Sequence, residues 1–505
     1  MNGYGDLSAF GIILIIFGVL GGVFSIVSAI VYLCYFMSSD DRGKAWCPKL
    51  VVIFAFALSV CSVFLLPLDV ANTKLDGGLG YAFQITWQVF YGFVALFVVL
   101  VIPFFIFYYE SEDPEKSFLH QIKWGACATI VSFLMVTILT AVTYFFFGWA
   151  DIPFMQYTQA VSAPTLHAAL LQATPAYADE RILSIFVSIV IYVIAVILFL
   201  GYFVFIICSG CGMTALPVTL IKAFIFKPKR IRSSEFIEAK AKLMRQSKKM
   251  IEIGTKLQEA QDEGKIALKD RRILNDFKMA AYKLEEEWKI IHTSFFSAGG
   301  SVILPILYLI LGIVCCLISL AWIVHLIVYW AIINPPNGML NVVFNWLDDL
   351  TVGFPILGGL LFWVFTVYLV FTVLAGNASI TSRIPLFAIH PMKKGDTMMN
   401  SLMFNTGLIL LSSVVINQFS QRAFNSYSRS TAMDIIFSGA ITNLRYIQWF
   451  YFAMIYAYLA CCGIGFFLAL ICCREKTKNE KDLEEVLARL DIGYSSSEPV
   501  EGNQQ

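Results

Sequence analysis

The chain has 505 residues, 58% hydrophobic and 14% charged, with a net charge of +1. About a quarter of a soluble domain is charged, so this balance excludes an ordinary soluble globule. The net charge itself implies nothing about nucleic acid, because the basic residues belong to the membrane topology, and no nucleic-acid partner is expected.

Hydrocarbon offers no water to the backbone, so each membrane crossing must be a closed helix of about 20 mostly apolar residues. Nine stretches qualify: Phe10–Phe36, Leu50–Leu68, Ala82–Tyr109, Gly125–Trp149, Ile182–Cys211, Ser301–Ile333, Ile356–Ala375, Ser401–Gln418 and Ile447–Cys473. Asp6 is the single charge before the first stretch, which reads as an uncleaved anchor rather than a signal peptide. With the N-terminus outside, the cytosolic segments hold 31 of the 36 Lys and Arg. The external ones hold only Lys74, Arg181, Arg422, Arg429 and Arg445. Basic residues are retained on the cytosolic side during insertion. The expected protein is therefore all-α: a polytopic bundle of about nine transmembrane helices in the plasma or an endolysosomal membrane. Its N-terminus is extracytosolic and its C-terminus cytosolic.

The chain divides into residues 1–212 with five spans, a polar insert at 213–300, residues 301–473 with four spans, and a tail at 474–505. At the outer end of span two stands Leu65-Leu66-Pro67-Leu68-Asp69-Val70-Ala71-Asn72. Pro67 frees a backbone carbonyl and Asp69 puts a carboxylate at the membrane rim. This pattern suits either a gate facing a luminal pocket or a helix terminator with a capping Asp. In both cases Asp69 should face protein or water rather than lipid. Tyr81 and Trp87, and later Tyr446 and Trp449, suit aromatic belts at the outer interface. Span three ends on Ile102-Pro103-Phe104 through Glu110, followed by Glu112, Asp113 and Glu115. That acidic run either meets the basic residues that follow span five or is a solvated turn. The largest external connection, Ala150–Arg181, is too small for an independent ligand-binding domain without disulfides. No external connection holds a cysteine, so no disulfide is expected.

After span five comes Gly210-Cys211-Gly212-Met213-Thr214-Ala215-Leu216-Pro217. A basic collar of Lys227, Lys229, Arg230 and Arg232 then suits anionic lipid headgroups. Phe236, Leu243, Met250 and Leu257 recur every seven residues, with Ile237, Met244 and Ile251 beside them. Ile273, Phe277, Ala281, Leu284, Trp288 and Ile291 form a second seam beyond Gly264. This pattern predicts a cytosolic antiparallel coiled-coil hairpin over 233–292. It would pair with itself, with a second copy or with a protein partner. His325 lies within span six and is expected to be neutral and bonded to a neighbouring helix. Before span eight stands Ile389-His390-Pro391-Met392, continuing to Ser401 and to Asn405. In the tail, Asp482–Leu490 suits one or two helical turns and Ser495–Gln505 suits disorder.

These motifs, each in its place relative to the spans, resemble the LIMR family of limb-region and lipocalin-interacting membrane receptor-like proteins. Plant and protist members of this length are the most alike. The resemblance covers nearly the whole chain and implies nine spans around a central coiled-coil insert. The family includes a lysosomal cobalamin transport escort protein and a lipocalin-uptake receptor.

Catalysis finds no support in the residues. Gly3-Tyr4-Gly5-Asp6 matches an aspartyl-protease string but precedes the first span and has no second intramembrane Asp. The five histidines show no metal-ligand spacing, and no phosphate-binding loop or nucleophile elbow occurs. No catalytic, cofactor or metal site is expected. The candidate functional residues are Pro67, Asp69, Asn72, Pro103, Glu110, Pro217, His325, His390, Pro391 and Asn405. The leading expectation is a non-enzymatic scaffold or escort in membrane transport or trafficking. The alternatives are a transporter of a neutral or large cargo, of cobalamin or lipid type, and an endocytic receptor. The near absence of mid-span carboxylates argues against proton- or sodium-coupled pumping.

Overall fold

The fold comes from a computed structural model. It describes residues 9–475 except 39–40, 42, 44–45, 76, 112–117, 158–177, 227–230, 263–276, 278–279, 282–283, 286, 293, 297–302, 333–337, 352–356, 381–389, 391, 393 and 396. Among the described residues nine helices are long and apolar enough to cross a membrane. They are α1 (Ala9–Phe36), α2 (Trp46–Lys74), α3 (Gly80–Glu110), α4 (Phe118–Phe147), α5 (Ile189–Ile225), α7 (Ile303–Leu326), α9 (Leu357–Ile380), α10 (Met399–Ala423) and α12 (Gln448–Glu475). Shorter or polar helices lie between them: α6 (Ser233–Asp262), α8 (Met339–Leu350) and α11 (Ala432–Asp434). The nine long helices fall on the nine stretches read from the sequence, and the protein is a polytopic helical membrane protein.

Each span needs an inner face that packs and an outer face that lipid tolerates. On α1, Gly11, Leu14, Gly21, Ser25, Ala29 and Tyr32 are buried at three-, four- and seven-residue steps. Phe17, Leu20 and Val23 point outward, each more than half exposed. Small residues on the packed face let backbones approach. α5 carries this furthest. A Cβ at Gly201 would lie 2.7 Å from the Leu411 carbonyl of α10, and one at Gly212 would lie 1.8 Å from the Thr372 carbonyl of α9. At Gly210 it would lie 2.7 Å from Cys461 of α12. Gly210-Cys211-Gly212 is therefore a packing surface rather than the end of a span, and α5 runs on to Ile225. α10 is the most deeply enclosed span, with 72% of its membrane window buried.

Prolines interrupt three spans without ending them. α2 continues through Pro67 to Lys74, so Pro67 is not a terminator. Pro103 follows a π turn at Phe97–Val101, whose wider ring accommodates a residue that cannot donate. Pro217 lies within α5 and deprives the Met213 carbonyl of its helical donor. The Ser319 hydroxyl of α7 donates to that oxygen at 2.7 Å.

The connection after α4 holds a two-stranded antiparallel sheet, β1 (Trp149–Tyr157) and β2 (Ala178–Phe186), in the register Trp149↔Phe186 to Tyr157↔Ala178. This corrects the start of span five. Ile182–Phe186 is strand, because its β-branched and aromatic residues pair across to β1, and the helix begins at Ile189. The sheet is pinned at its base. Asp151 N–H donates to the Asn443 carbonyl and Arg445 N–H to the Trp149 carbonyl, each at 2.8 Å. The Arg445 guanidinium forks onto both Asp151 oxygens at 2.8 and 2.9 Å.

Contacts divide the chain into a membrane unit, Met1–Leu216 with Cys316–Phe466, and a second unit around Pro217–Cys315. In the second unit α6 meets helical residues between 277 and 296. The rings of Phe236 and Phe295 stack at 4.2 Å, and a Cβ at Gly254 would lie 2.9 Å from Phe277. Both pairs have the same index sum, as an antiparallel hairpin requires. Gly264 and the rest of 263–276 lie outside the described residues.

Candidate functional site

The polar candidates collect at the two ends of α10. At its C-terminal end Asp69 is 1% exposed, so neither lipid nor open water reaches it. Its Oδ1 accepts from Ala432 N at 3.2 Å. Its Oδ2 accepts from Met433 N at 3.0 Å and from Trp87 Nε1 at 3.1 Å. Asp69 therefore caps the start of α11, a different helix from its own. The backbone N–H groups at the start of that helix and the Trp87 indole satisfy the carboxylate. Lys74, further along α2, binds Asp348 Oδ2 at 2.7 Å and sits 3.5 Å over the Tyr427 ring. Trp87 is fully buried against Asp69, so it leaves the aromatic belt; Tyr81, Tyr446 and Trp449 remain largely exposed.

The turn from α10 to α11 is closed by its own polar groups. Thr431 Oγ1 accepts from Asp434 N at 3.1 Å. Asp434 Oδ1 accepts from Gln421 Nε2 at 2.5 Å, and its Oδ2 accepts from Ser430 N at 3.0 Å. Ser430 has a left-handed backbone, φ 66°. Asn72 Oδ1 accepts from Leu79 N at 3.1 Å, which fastens the turn between α2 and α3. His325 is fully buried, and its Nε2 lies 3.0 Å from the Ala423 carbonyl. That carbonyl is an orphan acceptor at the end of α10, so the ring donates through Nε2 and caps the helix. Its ring stacks on Phe424 at 5.0 Å.

At the N-terminal end of α10, Asn405 Nδ2 donates to the His390 carbonyl at 3.1 Å and to the Ser401 carbonyl at 2.7 Å. His390 Nδ1 lies 3.4 Å from Ser401 Oγ, and the ring tilts against Phe404. Beside them Ser38 N donates to the Thr397 carbonyl at 3.0 Å, tying this loop to the end of α1. Pro391 lies outside the described residues. Pro103 is half-buried beside Ile102, Pro217 is buried within α5, and Glu110 is exposed at the end of α3. These three join neither cluster. Glu112, Asp113 and Glu115 lie outside the described residues, as do Lys227, Lys229 and Arg230. Arg232 is exposed, and its backbone N–H donates to Glu235 Oε2 at 3.0 Å.

Asp69 has no face open to a ligand, and His325 is enclosed by rings. Among the described residues no three His, Cys, Asp or Glu side chains converge as a metal site. This arrangement holds helix ends in place. Among the described residues, the buried polar atoms without a hydrogen-bond partner include Gln418 Nε2, Ser420 Oγ and the Tyr451 hydroxyl. Lys74–Asp348 and Arg445–Asp151 escaped the sequence reading, because pairs so distant in sequence leave no local pattern.

The pattern defining the LMBR1-like membrane proteins matches residues 13–277. A LIMR family protein of Dictyostelium discoideum is 31% identical, over 89% of this chain and 95% of its own length. One from Arabidopsis thaliana is 29% identical, over 88% of this chain and 92% of its own. A CASP-like protein of Selaginella moellendorffii is 29% identical over 40% of this chain and 99% of its own length. No solved structure matches the chain. With nine long helices and relatives aligned almost end to end, the chain belongs to the LIMR family of LMBR1-like membrane proteins.

Proposed function

We propose that the protein is a non-enzymatic scaffold or escort, which engages transport or trafficking machinery through a cytosolic hairpin built on α6. One observation carries this reading. Phe236, Leu243 and Met250 are buried within the hairpin, whereas Ile237, Met244 and Ile251 repeat the seven-residue spacing and stay 66%, 64% and 67% exposed. Among the described residues nothing covers this heptad stripe, and its spacing suits a further helix. The distribution of Lys and Arg supports the cytosolic side, and the collar at Lys227, Lys229, Arg230 and Arg232 would hold the hairpin base near anionic headgroups. The test is affinity purification in mild detergent with Ile237, Met244 and Ile251 all changed to Ser. Because the buried seam is untouched, the variant should accumulate normally and lose its associated proteins. An unchanged set of associated proteins would remove the basis for this reading.

A second reading, passage of a neutral cargo, draws on the unpartnered atoms at Gln418, Ser420 and Tyr451 in the bundle interior. Under it, Gln418→Leu abolishes cargo movement and leaves assembly intact. Cargo movement unaffected by Gln418→Leu would count against it.

A further inference from the structure

The hairpin leaves a cavity of about 500 Å³ between its two helices. Leu243 and Met250 form its floor, Met244 and Ile251 one wall, and Leu284 and Trp288 the other. Lys240 of α6 and Glu285 of the facing helix also line the cavity. Lys248 lies one turn from both Met244 and Ile251 on α6, and residues 240–249 contain five basic and no acidic side chains. An occupant that is apolar on one face, acidic on the flank toward Lys240 and Lys248, and about one helix wide suits this groove.

The chain holds such a segment beyond α12. Leu483, Val486, Leu487 and Leu490 follow the i, i+3, i+4, i+7 spacing of an apolar helix face. Asp482, Glu484, Glu485 and Asp491 flank them against a single basic residue, Arg489. The four apolar residues would span about 10 Å of helix, and the groove from Lys240 to Gly254 about 21 Å. Topology puts segment and groove on the same face, because the chain crosses the membrane four times, through α7, α9, α10 and α12, between Ile225 and Glu475. α5 and α12 also leave side by side. A Cβ at Gly465 would lie 2.9 Å from Cys211, after which both helices run on by ten residues or more. The seven residues between Glu475 and Leu483 reach up to about 25 Å when extended. So short a tether gives an effective concentration of about millimolar, enough for a modest interface.

We propose that the acidic segment 482–492 docks as a third helix in the α6 groove and covers the Met244–Ile251 wall, so that outside partners must displace it. A second copy suits the groove less well, since antiparallel pairing of two α6 helices about Met244 sets Lys240 against Lys248. The consequence for partners rests on the scaffold reading; the docking itself does not.

Hydrogen exchange by mass spectrometry on the full chain in neutral nanodiscs tests the docking without any partner. Amides of 482–492 should exchange at least tenfold more slowly than an unstructured peptide. Met244→Glu should return them to the unstructured rate while the seam of α6 keeps its protection. Lys240→Glu with Lys248→Glu should weaken the protection, and adding Glu484→Lys with Glu485→Lys should restore it. Unstructured-rate exchange of 482–492 in the wild type overturns the proposal, as does protection that ignores Met244→Glu. Protection of 237–251 that rises with protein concentration would assign the groove to a second copy. Protection that needs anionic lipid would assign it to the membrane surface. Either result, with the tail exchanging freely, overturns tail docking and leaves the purification test of the scaffold reading standing.

Discussion

Asp69 shows how much a single side chain can hold when both its oxygens are used. Three neutral donors converge on it, from Ala432, Met433 and Trp87. Asp69→Ala leaves all three buried and unpaired, at about 1–3 kcal/mol each. Asp69→Asn keeps one oxygen and turns an amide N–H₂ toward a donor, which costs about 1–2 kcal/mol. A residue capping its own helix would tolerate Asn with little loss. We therefore expect thermal unfolding in detergent to rank wild type above Asn and Asn above Ala. Equal midpoints for Asp and Asn would contradict the two-oxygen geometry. A second residue-scale prediction concerns Ser319, whose hydroxyl replaces the donor that Pro217 lacks. Ser319→Ala should cost about 1 kcal/mol in the wild type and less in Pro217→Ala, where the restored N–H can reach the Met213 carbonyl. A double-mutant cycle without coupling would rule this out.

At the scale of elements, the membrane unit depends on backbone approach. Gly212 on α5 faces the Thr372 carbonyl, and Gly376 on α9 faces the Cys208 carbonyl, where an added Cβ would lie 1.8 and 1.7 Å away. Backbone cannot yield as a flexible side chain can, so Gly212→Ala or Gly376→Ala must push α5 and α9 apart. Each should lower the yield of monodisperse protein sharply, whereas Gly92→Ala, which meets open space, should not. The β1–β2 sheet depends instead on charge. The Arg445 guanidinium and the Ser184 hydroxyl hold the Asp151 carboxyl at about 2, below its ordinary 3.8. A lowered folded value contributes stability above the unfolded value and loses it as pH falls through the folded one. The difference in thermal midpoint between wild type and Asp151→Asn should hold steady above about pH 5 and shrink between pH 4 and 2. A difference that grew on acidification would be the wrong sign.

For the whole molecule, Asn377-Ala378-Ser379 is the chain's sole N-x-S/T sequon, and Asn377 is 1% exposed within α9. It should carry no glycan, since glycosylation needs an accessible luminal Asn. A glycosidase-sensitive mass shift lost in Asn377→Gln would upset the packing and the span count together. Sequence alone determined the number of spans, their order and the buried seam of α6 at Phe236, Leu243 and Met250, because water and hydrocarbon act on each segment through its own composition. It understated α10, whose Ser401, Asn405, Ser412 and Gln418 make it the least apolar span. Those polar groups are tolerated because neighbouring helices enclose them. It marked Asp69, His325, His390 and Asn405, since ionisable and amide groups in apolar runs stand out. It could not say what they bind. Only the tertiary structure decided that Asp69 caps α11, that Lys74 pairs with Asp348, and that Ile182–Phe186 is strand. Each outcome depends on a group far away in sequence, and pairing energy belongs to the two partners together.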